Sequence, residues 1–230
     1  MAIDVYLALT AGEFGEKNRL PGKAAWMACH FSPGAEGLTN CPAWLPEKSM
    51  LIVDDSYPIQ GHQPKLIHGT ILDLVLRHGC KAVALDFQRP GAEEMVMILS
   101  EGIPCPVAVS AQYGRLTRGP VLLPPVPLNK SLESHIQPWS GRELWLELGA
   151  EGCAITLTSR GAAFAGWWPD ENTPHQNRKL CCSYRIQLEQ QQVTFLLQRS
   201  HGDLRTLLQD AQGMGVTTAL GLYQEFPDFA

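Results

Sequence analysis

The sequence predicts an α/β fold, a (β/α)8 TIM-barrel-like sheet with reduced helices and a small antiparallel β insertion after the seventh strand. Three observations predict it. Eight short apolar runs recur along the 230 residues, several of them separated by segments of helical periodicity. One run ends in polar residues on a single face, as strands do at the mouth of a barrel. The stretch from Gly149 to Ser200 breaks the alternation and reads as strands joined by turns.

The runs are Val5–Thr10, Ala25–Phe31, Met50–Asp54, Ala82–Phe87, Pro106–Tyr113, Val121–Pro125, Glu143–Leu148 and Thr217–Tyr223. After the third, Leu66, Ile67, Thr70, Ile71, Leu74 and Val75 fall on one helical side, and Gly79 stands where a helix stops. Ala92–Glu101 repeats the scheme, with Met95, Val96, Ile98 and Leu99 on the buried side and Gly102 closing it. A last helix starts near Asp203 and runs through Leu204, Leu207, Leu208 and Ala211 to Gly213. The other connections are short or Pro-rich, which gives the reduced barrel. In the interruption, Cys153–Thr158, Ala162–Trp167, Tyr184–Glu189 and Val193–Gln198 read as strands. Arg160-Gly161 and Gln190-Gln191-Gln192 close hairpins, and Asp170–Lys179 reads as a polar, mobile loop. The expected organisation is one domain over 1–230, with the insertion at about 149–200.

Composition narrows the function classes. A net charge of -5 offers no basic footprint for nucleic acid. No leader pattern is visible and no run approaches membrane-spanning length, so the expected location is cytoplasmic, with no membrane partner. The seven cysteines form no Cys-x-x-Cys pair and read as free, buried thiols. His62, His68 and His78 lack metal-site spacing, and no Gly-x-Gly-x-x-Gly, P-loop or Gly-x-Ser-x-Gly motif occurs. No metal and no cofactor is expected.

The chemistry-bearing residues lie at strand ends. In Gly79-Cys-Lys-Ala-Val-Ala-Leu-Asp-Phe-Gln-Arg-Pro90, Ala84, Asp86 and Gln88 share the inner face, opposite Val83, Leu85 and Phe87. Asp54 and Asp55 end the third strand, so one of them faces inward. Glu143, Trp145 and Glu147 share a face of the seventh strand, and Tyr223 and Glu225 share a face beyond the last, with small Ala219 and Gly221 behind them. Asp86, Glu147 and Glu225 then converge on one mouth with Tyr6, Gln112 and Tyr113. Trp145, Trp167 and Trp168 are candidates for stacking on sugar rings, with core packing as the plainer alternative. The plainer fate of Asp54 or Asp55 is to cap a turn, that of Glu147 or Glu225 is pairing or solvation, and that of Asp86 and Gln88 is a hydrogen-bonded pair filling the barrel.

The fourth run resembles the corresponding strand of the glycoside hydrolase family 18, or chitinase-like, barrels. Theirs ends Asp-x-x-Asp-x-Asp-x-Glu, preceded by Gly and followed closely by Pro, and Gly79, Asp86 and Pro90 match that frame. The insertion after the seventh strand fits as well. Leu204–Gly215 followed by Val216–Glu225 is similar to the ending Lys-x-x-x-x-Ala-x-x-x-Gly-x-x-Gly-x-x-x-Trp of that family's bacterial spore-associated members. The resemblance implies a site in which Asp86 orients a substrate acetamide whose oxygen attacks the anomeric carbon. It aligns Lys81 and Ala84 with the motif's first two Asp and Gln88 with its Glu, the residue that protonates the glycosidic oxygen. An amide has no proton to transfer. The sixth run, Val121-Leu-Leu-Pro-Pro125, also lacks the family's Tyr-Asp pair. The expectation is a family-18-like barrel with impaired or absent activity that binds an N-acetylated glycan. The alternatives are an active glycosidase using Glu147 or Glu225 as its acid, or a non-catalytic interaction scaffold. The residues leave the oligomeric state open.

Overall fold

A computed structural model describes residues 2–16, 23–34, 37–149, 152–167, 174–189 and 192–226. In chain order its elements begin with β1 (Asp4–Leu9), α1 (Ala11–Glu16), β2 (Ala24–Phe31), β3 (Leu38–Thr39), β4 (Met50–Asp54) and α2 (Pro64–His78). They continue with β5 (Ala82–Asp86), α3 (Glu93–Leu99), β6 (Val107–Ser110), β7 (Val121–Leu123), α4 (Leu132–Ile136) and β8 (Leu144–Glu147). The insertion holds β9 (Gly152–Thr158), β10 (Gly161–Trp167), β11 (His175–Asn177), β12 (Cys182–Glu189) and β13 (Gln192–Gln198). Helix α5 (His201–Ala211) and β14 (Val216–Leu222) end the described chain.

Eight parallel strands run in the order β1-β14-β8-β7-β6-β5-β4-β2, and the pairing of β1 with β2 closes them into a barrel. All eight apolar runs are barrel strands. The antiparallel β3 adds to β2 outside the ring. The insertion forms a separate sheet, in the order β10-β9-β13-β12-β11, after the seventh barrel strand. The polar Asp170–Lys179 stretch is not loop throughout, because His175–Asn177 pairs with β12. Positions 170–173, Gln190, Gln191 and Trp168 lie outside the described residues, as does the side chain of Trp167.

Local rules place the helices. Pro64 opens α2, and Gly79, at φ 63°, stops it in the left-handed region that a side chain disfavours. Its buried side is Ile67, Ile71, Leu74, Val75 and His78. Leu66, expected on that side, is 53% exposed, because the apolar arc is one residue narrower than the sequence pattern. In α3, Met95, Val96 and Leu99 are buried while Ile98 is only half-covered. Helix α5 starts two residues before Asp203. Ser200 caps it, accepting from the Asp203 N–H at 3.1 Å while the Asp203 carboxylate accepts from the Ser200 N–H at 2.9 Å.

The barrel interior is filled, not hollow. Tyr6 and Trp145 are its aromatic side chains, clustered with Met50, Ile52, Leu122 and Leu220 and with small Ala82, Ala84 and Ala108. Outside, Val83 and Leu85 of β5, with Phe87 just after it, join the layer covered by α2 and α3, as the alternation required. The last strand behaves otherwise than its small residues suggested. Leu220 and Leu222 turn into the barrel, whereas Ala219 packs outside with Leu204, Leu208 and Phe226. Gly221 makes room for the Phe226 ring, since an added methyl carbon would lie 2.7 Å from Phe226 Cδ2. Gly221→Ala should therefore cost about 1–3 kcal/mol of stability by overpacking; thermal and urea unfolding measure it, and an unchanged midpoint would refute the contact.

Candidate functional site

Strand polarity decides where chemistry gathers. Asp54, Asp86, Ser110 and Glu147 are the last or near-last residues of β4, β5, β6 and β8, so parallel pairing carries them to one mouth. There a cleft of about 610 Å³ opens, within the roughly 300–1,000 Å³ typical of small-molecule sites. Asp54, Asp86, Glu147 and Glu225 line it, with Leu222, Leu128 and Phe164 among its apolar walls.

Register sets Asp54 directly opposite Asp86 on the neighbouring strand. His30 Nδ1 lies 2.7 Å from Asp54 Oδ1, and the Ser56 N–H donates to the same oxygen at 3.0 Å. Asp86 accepts from the Gln88 side-chain amide and, at 3.4 Å, from the Ser110 hydroxyl. The amide thus points at the carboxylate as a donor. Ser110 also accepts from the Phe87 N–H at 2.9 Å, and its one hydroxyl proton lies between Asp86 and the Leu85 carbonyl at 3.2 Å, which locks the end of β5.

Several predicted site residues hold the loop that carries Gln88 instead of lining the cleft. Asp55 is buried, and its two oxygens accept from the N–H groups of Gln88 at 2.9 Å and Arg89 at 2.7 Å. Gln112 Nε2 donates to the Phe87 carbonyl at 2.5 Å. Tyr113 donates to the Arg89 carbonyl and accepts from the Ala92 N–H at 3.2 Å, with its ring packed outside the barrel. Tyr6 and Trp145 belong to the interior filling, one layer below the cleft. The Trp145 indole donates to Glu143 at 3.3 Å, at the opposite end of β8 from Glu147. Tyr223 packs outside the barrel, because the chain turns after Leu222. That same turn, held by the Glu225 N–H donating to the Leu222 carbonyl at 3.0 Å, brings Glu225 back to the cleft.

The electrostatics separate two carboxyls. Burial, reinforced by the Asp86 charge, pushes Glu147 up to about 8. Burial also raises Asp86, with the like charges of Asp54 and Asp55 adding to it, while hydrogen bonds from Gln88 and Ser110 oppose the rise. Burial therefore favours the protonated form of Glu147 near neutral pH, in the cleft that it shares with Asp86. Two carboxyls of different acidity in one cleft suit both hydrogen bonding to sugar hydroxyls and proton transfer.

Sequence reasoning did not single out His30, Ser110 or Arg199. His30 escaped because the pairing of β2 with β4 slips between Trp26 and Cys29, so alternation counted from Ala25 turns His30 the wrong way. Ser110 was signalled only by sharing a face with Ala108. Arg199 is buried at the foot of the insertion, donating to the carbonyls of Cys181 at 3.1 Å, Leu180 at 3.0 Å and Val126. These bonds tie the second sheet to the loop after β7 and complete the cleft wall.

No protein-family model and no curated protein matches the sequence. Solved structures match it in three dimensions. The Bacillus cereus spore cortex-lytic enzyme SleL is 8% identical over 96% of this chain and 70% of its own, with a TM-score of 0.58. The chitinase-like agglutinin of Robinia pseudoacacia is 13% identical over 96% of this chain and 94% of its own, with a TM-score of 0.62. The GH18 chitinase of Cycas revoluta, solved in complex with (GlcNAc)3, is 11% identical over 96% and 95%, with a TM-score of 0.61. This chain therefore has the barrel fold of the GH18 chitinases and chitinase-like proteins.

Proposed function

We propose that the cleft binds an N-acetylated glycan, and that Gln88 stands where the chitinase barrels carry their acid. The observation that carries this reading is the hydrogen bond from the Gln88 amide to Asp86 at the mouth of the cleft. It keeps the polar frame for an acetamide and a glycosidic oxygen while leaving nothing at position 88 to donate a proton. The Cycas revoluta chitinase, with the same fold, holds (GlcNAc)3, and the Robinia pseudoacacia protein is an agglutinin.

Calorimetry with (GlcNAc)3 tests it. Binding is expected, and Asp86→Ala should weaken it by about 10–100-fold, the usual loss for a hydrogen bond to a charged group. No heat with (GlcNAc)3 or longer chitin and peptidoglycan fragments would sink the reading.

One observation favours a second reading. Glu147, raised to about 8, is a proton donor already in place across from Asp86. If it serves as a displaced general acid, the wild-type chain hydrolyses chromogenic N-acetylglucosaminides and Glu147→Gln abolishes the turnover. Absence of turnover across a broad panel would leave the cleft a binding site.

A further inference from the structure

One face of the second sheet carries a run of large apolar side chains. Strand pairing aligns Phe164, Ile155, Phe195 and Ile186 in one row across β10, β9, β13 and β12. Leu157 and Leu188 stand on the same face one row further out, toward the hairpin tips, with Val193 between them. The opposite face carries Thr156, whose hydroxyl meets that of Thr194 at 3.0 Å, together with Arg185 and Gln187. At its base the apolar face is covered, where Leu197 is buried with Leu128 of the barrel loop. Further out it is bare. Leu157 is 47%, Ile186 47%, Phe164 59% and Leu188 76% exposed.

Two features say what covers it. The face is continuous with the cleft, because Phe164 and Cys153 belong to both. A ligand lying on Asp86 and Glu147 and extending past Phe164 therefore runs onto it. The patch is also small. Four such side chains, between 47% and 76% exposed, offer on the order of 300 Å² of apolar surface. A second protein copy needs roughly 800 Å² per partner for a stable interface. An alkyl or acyl chain needs far less, and aliphatic side chains suit it better than they suit a hydroxylated sugar ring.

We propose that the cleft's ligand is amphipathic, a glycan bearing an apolar tail, with the sugar over the acidic mouth and the tail along Phe164, Ile186, Leu157 and Leu188. This rests on the glycan reading and adds the substrate class. The test compares (GlcNAc)3, methyl β-N-acetylglucosaminide and octyl β-N-acetylglucosaminide, the last below its micelle concentration, by calorimetry. The octyl glycoside should bind at least about 30-fold more tightly than the methyl one, given roughly fourfold per methylene buried and only part of the chain covered. The double variant Leu157→Ser, Leu188→Ser should reduce that ratio to within about threefold and leave (GlcNAc)3 binding unchanged. Because both positions are exposed, an unchanged circular dichroism spectrum is expected, and Ile186→Ser provides an independent variant.

Equal affinity for the two glycosides overturns the inference, and if (GlcNAc)3 still binds, the glycan reading survives it. Binding of the octyl glycoside with the stated gain, but none of (GlcNAc)3, retains the apolar site and rejects the chitin-type sugar. Failure of every ligand removes both. Self-association that disappears in the Ser variants, measured by sedimentation, assigns the face to a second copy and also overturns the inference.

Discussion

Replacing Gln88 by Glu should raise turnover of 4-nitrophenyl N,N′-diacetylchitobioside by about 10²–10⁴ over the wild-type chain, the usual contribution of a positioned general acid. The backbone at position 88 is already held from three sides. Asp55 accepts from the N–H groups of Gln88 and Arg89, Gln112 holds the Phe87 carbonyl, and Tyr113 holds the Arg89 carbonyl. A carboxyl of the same length therefore enters the space of the amide without moving the loop. It would lie against Asp86, with Glu147 near by, and like charges at close quarters raise the pKa of one partner. The pair of carboxyls would thus share a proton more readily than either alone, which favours acid catalysis from position 88. Single-turnover and steady-state assays of Gln88→Glu, with Gln88→Glu combined with Asp86→Asn as the control, read the effect. A variant as inert as wild type, with (GlcNAc)3 binding intact, would mean that the glycosidic oxygen does not reach position 88.

The second large effect is on stability against pH. In the folded chain Glu147 stands at about 8 against 4.5 for a free carboxyl, so the folded state holds a proton that the unfolded state releases between those values. The contribution is complete below about 4.5 and is lost as pH rises through about 8. Each pKa unit corresponds to about 1.4 kcal/mol, and allowing for solvent reaching the cleft leaves about 2–4 kcal/mol over the whole window. Glu147→Gln removes the titration while keeping the shape. Urea unfolding should find the variant close to wild type at pH 5 and about 2–4 kcal/mol more stable at pH 9. Parallel stability curves at pH 5, 7 and 9 would show that Glu147 titrates as an ordinary exposed carboxyl.

The two substitutions probe different claims about one cleft. Gln88→Glu asks whether a carboxyl at position 88 can act as the proton donor of the proposed glycan site. Glu147→Gln asks whether the carboxyl that does hold a proton is as desolvated as its place suggests. If wild-type turnover exists and depends on Glu147, the displaced acid replaces the binding reading; if only the position-88 variant turns over, the binding reading stands.

Period-2 alternation was enough to read β5. Val83, Leu85 and Phe87 went out, Ala84 and Asp86 went in, and Gln88 followed Asp86 to the mouth. The same rule read β8, where Trp145 and Glu147 turn inward against Leu144 and Leu146. It failed where register slipped or a strand stopped. The slip in β2 hid His30, and the chain turning after Leu222 separated Tyr223 from Glu225. Gln112 and Tyr113 were legible as residues near the mouth, but not as clamps on the Phe87–Ala92 loop. Those bonds join positions more than twenty residues apart, and no local pattern encodes them.

What the sequence by itself determined is the barrel, because eight apolar runs and their stop signals are local facts about propensity and periodicity. It also determined which polar residues stand at strand ends. Only the tertiary structure decided their roles. Asp54 faces the cleft while Asp55, its neighbour, is spent on two backbone N–H groups. Glu147 keeps its proton because the closed barrel and the folded insertion remove water from it and set Asp86 opposite. Desolvation and charge proximity are sums over the whole packed chain, and no window of residues contains them.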